Sequence, residues 1–245
     1  MSARSALRVV RADMRYRKNI KFMRKQFFMA LAAATMGLTA AAQAVTTPKY
    51  NEFYYQRASL FDVLPVDSTN IVMFGNSLTN GCEWHELFND QRVINRGITG
   101  DIVQGLQDRL EPVIKGKPAK IFLLIGANDV SHHLTADSIA GAITDLVARI
   151  RRESPDTKLY VESILPINQS FHRYKNMDGK EPVIREINSL IAPRVTELGA
   201  TWLDVTPLFA DEEGNLKKEF TNDGLHLLGP GYLAWREFLL PYIKE

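Results

Sequence analysis

The sequence predicts an α/β protein, a three-layer α/β/α sandwich with a five-stranded parallel sheet. From Asn70 onward, short β-rich apolar runs alternate with longer helical segments. The apolar runs are continuous rather than alternating with polar residues, which is typical of strands that are buried on both faces. Five such strand and helix units are expected to form one sheet that is covered by helices on both sides.

The predicted elements follow one another along one domain. The predicted strands are 71–74, 93–95, 121–125, 159–163 and 201–204. The predicted helices lie near 83–90, 101–115, 136–153, 180–198 and 230–242. The helix at 136–153 has clear ends, because Thr135 is a suitable N-cap and Pro155 follows its last turn. Residues 45–69 are a polar and aromatic lead-in, and we expect a short helix and a loop there.

The overall composition is that of a globular protein. The 245 residues are 45% hydrophobic and include a single cysteine. One thiol cannot form an internal bridge, and the apolar content is ample for a core, so disulfide-stapled, collagenous and disordered classes are excluded. The formal net charge of +2 is informative only once the positions of the basic residues are known.

The basic residues are concentrated at the N-terminus. Residues 1–44 contain nine Lys or Arg side chains and one acid, and residues 26–45 are an uncharged run that includes Ala42-Gln43-Ala44. A basic segment, an apolar segment and a small-residue exit are typical of a secretory signal peptide, which we expect to be cleaved after Ala44. An uncleaved anchor is the alternative, although the Ala, Thr and Gly content is poor for anchoring. The start at Met1, Met14 or Met23 stays open.

Removal of this leader reverses the sign of the net charge. The domain at 45–245 keeps 21 basic and 27 acidic side chains, a net charge of −6. An acidic domain gives no electrostatic reason to expect a nucleic-acid partner. We therefore expect an exported, periplasmic or secreted domain with no stable membrane insertion after cleavage, and the sequence does not predict its oligomeric state.

Four polar clusters follow predicted strands or precede the last helix. In a parallel sheet, ligands bind at the carboxyl ends of the strands. Each cluster alone is an ordinary turn or helix cap, but together they contain every group that an acyl-transfer site needs. The clusters are Gly75-Asn76-Ser77-Leu78, Gly97-Ile98-Thr99-Gly100-Asp101, Gly126-Ala127-Asn128-Asp129 and Asp223-Gly224-Leu225-His226.

The clusters suggest a serine nucleophile with a histidine base. Ser77 lies on a tight strand-to-helix turn, and the imidazole of His226 can take its proton. Asp223 precedes the histidine by three residues and can hold its other ring nitrogen. The backbone N–H groups of Ser77 and Gly100 and the side-chain amide of Asn128 are the candidate donors to the oxyanion.

These clusters resemble the SGNH subgroup of the GDSL hydrolases over about residues 70–240. The family's Ser, Gly, Asn and His blocks occur here in family order, and Asn76 stands where the name-giving Asp is usual. The resemblance implies a flavodoxin-like fold and hydrolysis of esters or thioesters without a metal or other cofactor. The adjacent His132 and His133 do not suggest a metal pair, because neighbours on a helix point apart and lack a partner at ligand spacing.

The sequence indicates the substrate less clearly. The loop at 166–181 is unusually long, polar and aromatic, so His172 and Tyr174, together with Asn76, are candidate substrate-binding residues. We favour a short acyl group on a sugar, such as O-acetylated sialic acid or polysaccharide. A lysophospholipase, an acyl-thioesterase and an inactive carbohydrate-binding relative are alternatives. A metallophosphoesterase would need more Asp and His residues at the strand ends.

Overall fold

The computed structural model describes residues 49–245, which contain a five-stranded parallel sheet with helices on both faces. The predicted signal peptide lies outside the described residues. The strand order is β2-β1-β3-β4-β5, and it confirms the predicted α/β/α fold. The strands are β1 (Ile71–Gly75), β2 (Val93–Gly97), β3 (Lys120–Leu124), β4 (Lys158–Glu162) and β5 (Thr201–Leu203).

Helices fill the connections between the strands. In the part of the chain that the structure describes, none of them is both long and apolar enough to span a bilayer. Short 3₁₀ turns occupy Gln169–Phe171, Lys175–Met177 and Lys218–Phe220. The α-helices are α1 (Glu52–Val63), α2 (Ser77–Asn80), α3 (Trp84–Phe88), α4 (Val103–Asp108), α5 (Glu111–Ile114), α6 (Ala127–Ser131), α7 (Ala136–Glu153), α8 (Glu181–Glu197), α9 (Thr206–Phe209) and α10 (Gly229–Lys244).

The sheet separates two apolar cores. Successive side chains on a strand point to opposite faces, so Val72 and Phe74 enter one core while Ile71 and Met73 enter the other. Helices α7 and α8 cover the first core, and α10 covers the second with the fully buried Trp235. Burial on both faces is the physical reason why the strands read as continuous apolar runs.

Two predicted segments differ from the observed ones. The helix expected at 101–115 is broken into α4 and α5, because Pro112 has no amide hydrogen for the Asp108 carbonyl and its ring would clash there in a continuous helix. The lead-in forms the twelve-residue helix α1, longer than expected. Asn51 caps it by accepting a hydrogen bond from the Tyr54 amide at 2.8 Å.

The strand order places three of the polar clusters together. Strand β1 lies between β2 and β3, so the chain leaves β1 in one direction and later returns on its other side. The strand order reverses between β1 and β3, and parallel sheets bind ligands at such a switch point, beyond the carboxyl ends of the strands. Ser77, Gly100 and Asn128 follow β1, β2 and β3 respectively.

Candidate active site

Ser77 begins the short helix α2 directly after β1. Asn76 caps this turn, because its side-chain oxygen accepts a hydrogen bond from the Leu78 amide at 3.0 Å. Asn76 is almost completely buried, so its side chain belongs to the framework of the turn. Strand β2 approaches closely, and a Cβ atom on Gly97 would lie 2.3 Å from the Asn80 amide nitrogen. This packing holds Ser77, which is half-buried, at the edge of the sheet.

His226 connects Ser77 to Asp223. The Oγ atom of Ser77 lies 3.0 Å from Nε2 of His226, and Nδ1 of His226 lies 2.8 Å from Oδ2 of Asp223. The structure therefore brings the three sequence-predicted side chains into one hydrogen-bonded row, although Ser77 and His226 are 149 residues apart in the chain.

The turn from Asp223 to His226 is fixed by its own hydrogen bonds. The Oδ1 atom of Asp223 accepts hydrogen bonds from the backbone N–H groups of Leu225, at 2.9 Å, and His226, at 2.8 Å. Such side-chain to backbone bonds are characteristic of aspartate turns. Gly224 has a φ of +86°, and a Cβ atom there would lie 2.2 Å from the Asn168 carbonyl oxygen. The turn therefore requires glycine at this position.

Asp223 is ionised at neutral pH. Burial alone would raise its pKa, but hydrogen bonds from the His226 ring and from the backbone N–H groups of His226 and Leu225 outweigh burial and lower the pKa to about 2. An ionised carboxylate only accepts hydrogen bonds, so Nδ1 of His226 carries the proton in this pair. The Nε2 atom is then left as an acceptor for the Ser77 hydroxyl.

The two remaining candidate donors lie in neighbouring loops. Gly100 is exposed and has a φ of +80°, a left-handed conformation that favours glycine. Asn128 is half-buried in the first turn of α6, and its amide nitrogen donates to the Asp101 carbonyl at 2.8 Å. This bond ties the Asn128 side chain to the loop of Gly100. A side-chain amide has a second N–H, which this bond does not use.

A buried ion pair that the sequence analysis missed lies next to the Gly100 loop. Nε of Arg109 lies 2.8 Å from Oδ2 of Asp101, and the other guanidinium nitrogens donate to the carbonyls of Arg96, at 2.8 Å, and Gly75, at 2.9 Å. One side chain therefore joins the ends of β1 and β2 to the loop. Sequence offered little signal, since a charged helix residue is usually expected on a solvated face.

Asp129 is a second buried carboxyl group that was not singled out. Both of its oxygens accept the Val103 amide at 3.2 Å, which fixes the first turn of α4 against α6. Burial raises its pKa to about 7, opposed by backbone hydrogen bonds from Val103 and its own N–H and reinforced by the charge of Asp101.

The 166–181 loop reaches the His226 and Asp223 pair. The hydroxyl of Tyr174 donates to Oδ2 of Asp223 at 3.1 Å and lies 3.1 Å from Nδ1 of His226. His172, in contrast, is exposed in a left-handed conformation at the end of a 3₁₀ turn. The loop is fixed to the turn from Asp223 to His226 by a hydrogen bond of 2.8 Å from the backbone N–H of Asn168 to the Gly224 carbonyl.

An open groove of about 640 Å³ lies beside this loop. Its walls carry amide, hydroxyl and carboxylate groups and no large apolar side chain. Within residues 49–245, no three His, Cys, Asp or Glu side chains come together in a way that would hold a metal ion. The groove is lined by Asn168, Gln169, Ser170, His172, Asp178, Asp211, Glu213, Asn215 and Lys218.

Known proteins match both the sequence and the fold. A model of the GDSL-like Lipase/Acylhydrolase family matches residues 73–234. Platelet-activating factor acetylhydrolase IB subunit alpha1 of Rattus norvegicus is 29% identical over 169 residues, which are 66% of this chain and 69% of the rat protein.

Solved structures show the same fold. A Streptococcus pneumoniae protein provisionally named a platelet activating factor has a TM-score of 0.70 and 28% identity, covering 78% of this chain and 91% of its own. A variant of Axe2, an acetyl-xylooligosaccharide esterase from a Geobacillus species, has a TM-score of 0.59 and 17% identity, covering 74% of this chain and 96% of its own. At that identity the second likeness concerns the fold alone.

Proposed function

We infer that the chain, which belongs to the GDSL-like lipase/acylhydrolase family and is therefore an ester-hydrolysing enzyme, cleaves its ester through an acyl-enzyme on Ser77. One observation carries this proposal: the 3.0 Å contact between Oγ of Ser77 and a His226 ring whose far nitrogen is held by ionised Asp223. A nucleophile, a base and a group that orients the base are the required parts of such a site.

The proposed reaction has two halves. In the first, Oγ of Ser77 attacks the ester carbonyl while Nε2 of His226 takes the hydroxyl proton, and the alcohol then leaves with that proton. In the second, His226 takes a proton from water, the hydroxide oxygen attacks the acyl-enzyme, and the carboxylic acid leaves as Ser77 regains its proton. Asp223 stays ionised throughout and stabilises the imidazolium that forms in each half.

The negative charge on the carbonyl oxygen needs hydrogen-bond donors. We assign this role to the backbone N–H groups of Ser77 and Gly100 and to the free N–H of the Asn128 amide. Their positions after β1, β2 and β3 support this assignment, and the Asn128 bond to the Asp101 carbonyl orients the amide before substrate arrives. Donors that are fixed in advance need no reorganisation when the charge develops.

We propose a short acyl group, acetyl in particular, on a carbohydrate as the substrate. The polar groove beside the 166–181 loop supports a hydroxyl-rich alcohol part of the ester, since its walls offer hydrogen-bonding groups. The name of one similar protein, the rat platelet-activating factor acetylhydrolase subunit, also supports an acetyl group. His172 lines the groove and is the candidate sugar contact on this loop.

We also propose that the protein is exported and that residues 1–44 are removed. The support is the order of a basic segment, an apolar segment and Ala42-Gln43-Ala44 in the sequence. Expression in a bacterial host, cell fractionation and N-terminal sequencing test this. A new N-terminus at Val45 outside the cytoplasm is expected, and an intact N-terminus in the cytoplasm would contradict export.

The test of the reaction is hydrolysis of p-nitrophenyl acetate by the full chain and by Ser77→Ala. We expect turnover by the wild-type protein and a loss of at least about 10³-fold in the variant, with unfolding curves that superimpose. Equal rates would exclude Ser77 as the nucleophile, and no turnover by either would favour an inactive carbohydrate-binding relative.

The substrate class is tested by chain length. We expect kcat/KM to fall from acetyl to butyryl to octanoyl p-nitrophenyl esters, and we expect acetate release from acetylated xylooligosaccharide or O-acetylated sialic acid. A rise with chain length would favour a lysophospholipase, and a preference for acyl thioesters would favour a thioesterase.

A further inference from the structure

Tyr174 contacts the acid–base pair, and the reaction proposed above does not use it. Its hydroxyl lies 3.1 Å from Oδ2 of Asp223 and 3.1 Å from Nδ1 of His226. Its ring packs edge-on against the His226 ring, with 5.6 Å between the ring centroids. The tyrosine therefore lies beside the bond between Asp223 and His226, not beside the hydroxyl of Ser77.

The hydrogen bonds determine the direction in which the Tyr174 proton points. Nδ1 of His226 already donates to Oδ2 of Asp223 at 2.8 Å, so it has no lone pair for a second proton. The Tyr174 hydroxyl consequently donates to the same Oδ2 atom. Burial and the charge of Asp223 raise the pKa of Tyr174, while Arg173 lowers it, so the hydroxyl stays a donor across the working range.

Two donors thus share one carboxylate oxygen. The other oxygen, Oδ1, is occupied by the backbone N–H groups of Leu225 and His226 and, at 3.3 Å, by the Thr221 hydroxyl. The Tyr174 hydrogen bond neutralises part of the negative charge on Oδ2. That part no longer stabilises a protonated His226 ring. A donor at this point therefore reduces the electrostatic stabilisation that Asp223 gives to the protonated imidazole.

We propose that Tyr174 is a positioning residue that shares the Asp223 carboxylate with His226 and thereby sets the lower end of the pH range in which the enzyme works. This inference rests on the proposed function. Among the described residues, the charged and titratable groups around the pair are Tyr174, Arg173, which acts on Tyr174, and Asp178, which lines a small cavity together with Asp223 and Tyr174. The Asn168 to Gly224 hydrogen bond fixes the loop that carries Tyr174 to the same turn.

The test compares kcat/KM for p-nitrophenyl acetate against pH in the full-length wild-type protein and in Tyr174→Phe, which keeps the ring and removes the donor. Without the donor, Asp223 stabilises the protonated form of the imidazole more strongly. We expect the acid limb of the profile to move to higher pH by about half a unit, because the lost hydrogen bond acts on the imidazole only through Asp223. At pH values above the acid limb, the KM of Tyr174→Phe is expected to differ from that of the wild-type protein by less than twofold.

Tyr160→Phe is the matched control. It also removes a tyrosine hydroxyl that donates to a carboxylate, that of Glu245, but the bond includes none of the site residues. We expect its acid limb to coincide with that of the wild-type protein. Incorporation of 3-fluorotyrosine at position 174 replaces one ring hydrogen by fluorine, which keeps the hydroxyl and makes it a stronger donor. We expect it to move the acid limb in the opposite direction, to lower pH.

An unchanged acid limb in both Tyr174 substitutions, or shifts of the same sign in both, would overturn the inference. The fluorotyrosine result stands even where Tyr174→Phe lowers the temperature of unfolding. Failure of this inference is distinct from failure of the proposed function: in the first case Ser77→Ala still abolishes turnover, and in the second it does not.

Discussion

Two polar networks at the carboxyl edge of the sheet differ in burial. In the first, the side chains of His226 and Asp223 retain 34% and 20% of their exposure beside Ser77. In the second, Arg109 and Asp101 retain 4% and 0% beside the Gly100 loop. The first network is exposed enough to meet a substrate and exchange protons, while Arg109 and Asp101 are shielded from solvent and bond to each other and to the ends of β1 and β2. We therefore expect damage to the first network to reduce rate and damage to the second to reduce stability.

The largest effect is expected from Asp223→Asn. The amide cannot stabilise the imidazolium, and it favours the wrong tautomer of His226, so kcat should fall by about 10⁴-fold. The free energy of unfolding in urea should fall by about 1–2 kcal/mol at pH 7, because the amide lacks the charge that the turn stabilises, while a 10⁴-fold loss of rate corresponds to more than about 5 kcal/mol. A loss of activity that merely tracked a loss of folded protein would contradict the separation of the two networks.

Arg109→Met is expected to show the reverse pattern. It leaves Asp101 buried without its partner and frees the Arg96 and Gly75 carbonyls, which should cost about 3–5 kcal/mol of unfolding free energy. The exposed pair of Arg92 and Asp90 gives the matched control, since Arg92→Met should cost less than about 1 kcal/mol. Equal losses of unfolding free energy in the two variants, measured by urea unfolding, would contradict the structural role of Arg109.

Asn128→Ala tests the link between the networks. Its amide bonds to the Asp101 carbonyl and is the proposed donor to the oxyanion, so kcat should fall by about 10²–10³-fold with KM almost unchanged. Asn188→Ala is the control, because that amide only bridges the backbone of Ile164. A change in KM alone would place Asn128 in substrate binding instead.

The last comparison concerns pH and stability. Asp129 has a pKa of about 7 in the fold against about 3.9 in an unfolded chain. Its contribution is fully present below about pH 4 and is lost as the pH rises through 7. Asp223, with a pKa of about 2, has the opposite sign and loses its contribution as the pH falls towards 2.

Asp129→Asn should therefore remove a decline in unfolding free energy between pH 4 and 7, of at most about 1.4 kcal/mol per pH unit. Urea unfolding at half-unit pH intervals gives the comparison with wild type. The variant keeps an oxygen that can accept from the Val103 amide, so its stability at pH 4 should be near that of the wild-type protein. Parallel curves for the two proteins would exclude Asp129 as the source of the decline.

Sequence predicted the first network far better than the second. Ser77, Asp223 and His226 stand in short polar motifs at strand ends and before the last helix, and local spacing makes such residues visible. Arg109 donates hydrogen bonds to the ends of β1 and β2, and Asp129 accepts one from the start of α4. These contacts join separate segments of the chain, so no local sequence pattern predicts them. The continuous apolar runs predicted the sheet for the same reason, because a strand that is buried on both faces is apolar at successive positions.

The contact of Tyr174 illustrates the same limit. Its aromatic, polar loop suggested a substrate contact, but the hydroxyl lies on Asp223 and His226, a pairing across 49 and 52 residues that spacing does not indicate. Pro112 was the sequence signal for the break between α4 and α5, but a proline alone does not decide the matter, because α8 and α10 continue through Pro193 and Pro241.

Ser77 is the nucleophile of the proposed reaction, and this role can be tested directly. A p-nitrophenyl phosphonate ester tests this, because an activated serine displaces p-nitrophenolate and keeps the phosphonyl group. We predict release of one equivalent of p-nitrophenolate by the wild-type protein, with the added mass on the peptide that contains Ser77, and no release by Ser77→Ala or Asp223→Asn on the same timescale. Labelling of another residue, or unlabelled protein that continues to hydrolyse esters, would contradict the account.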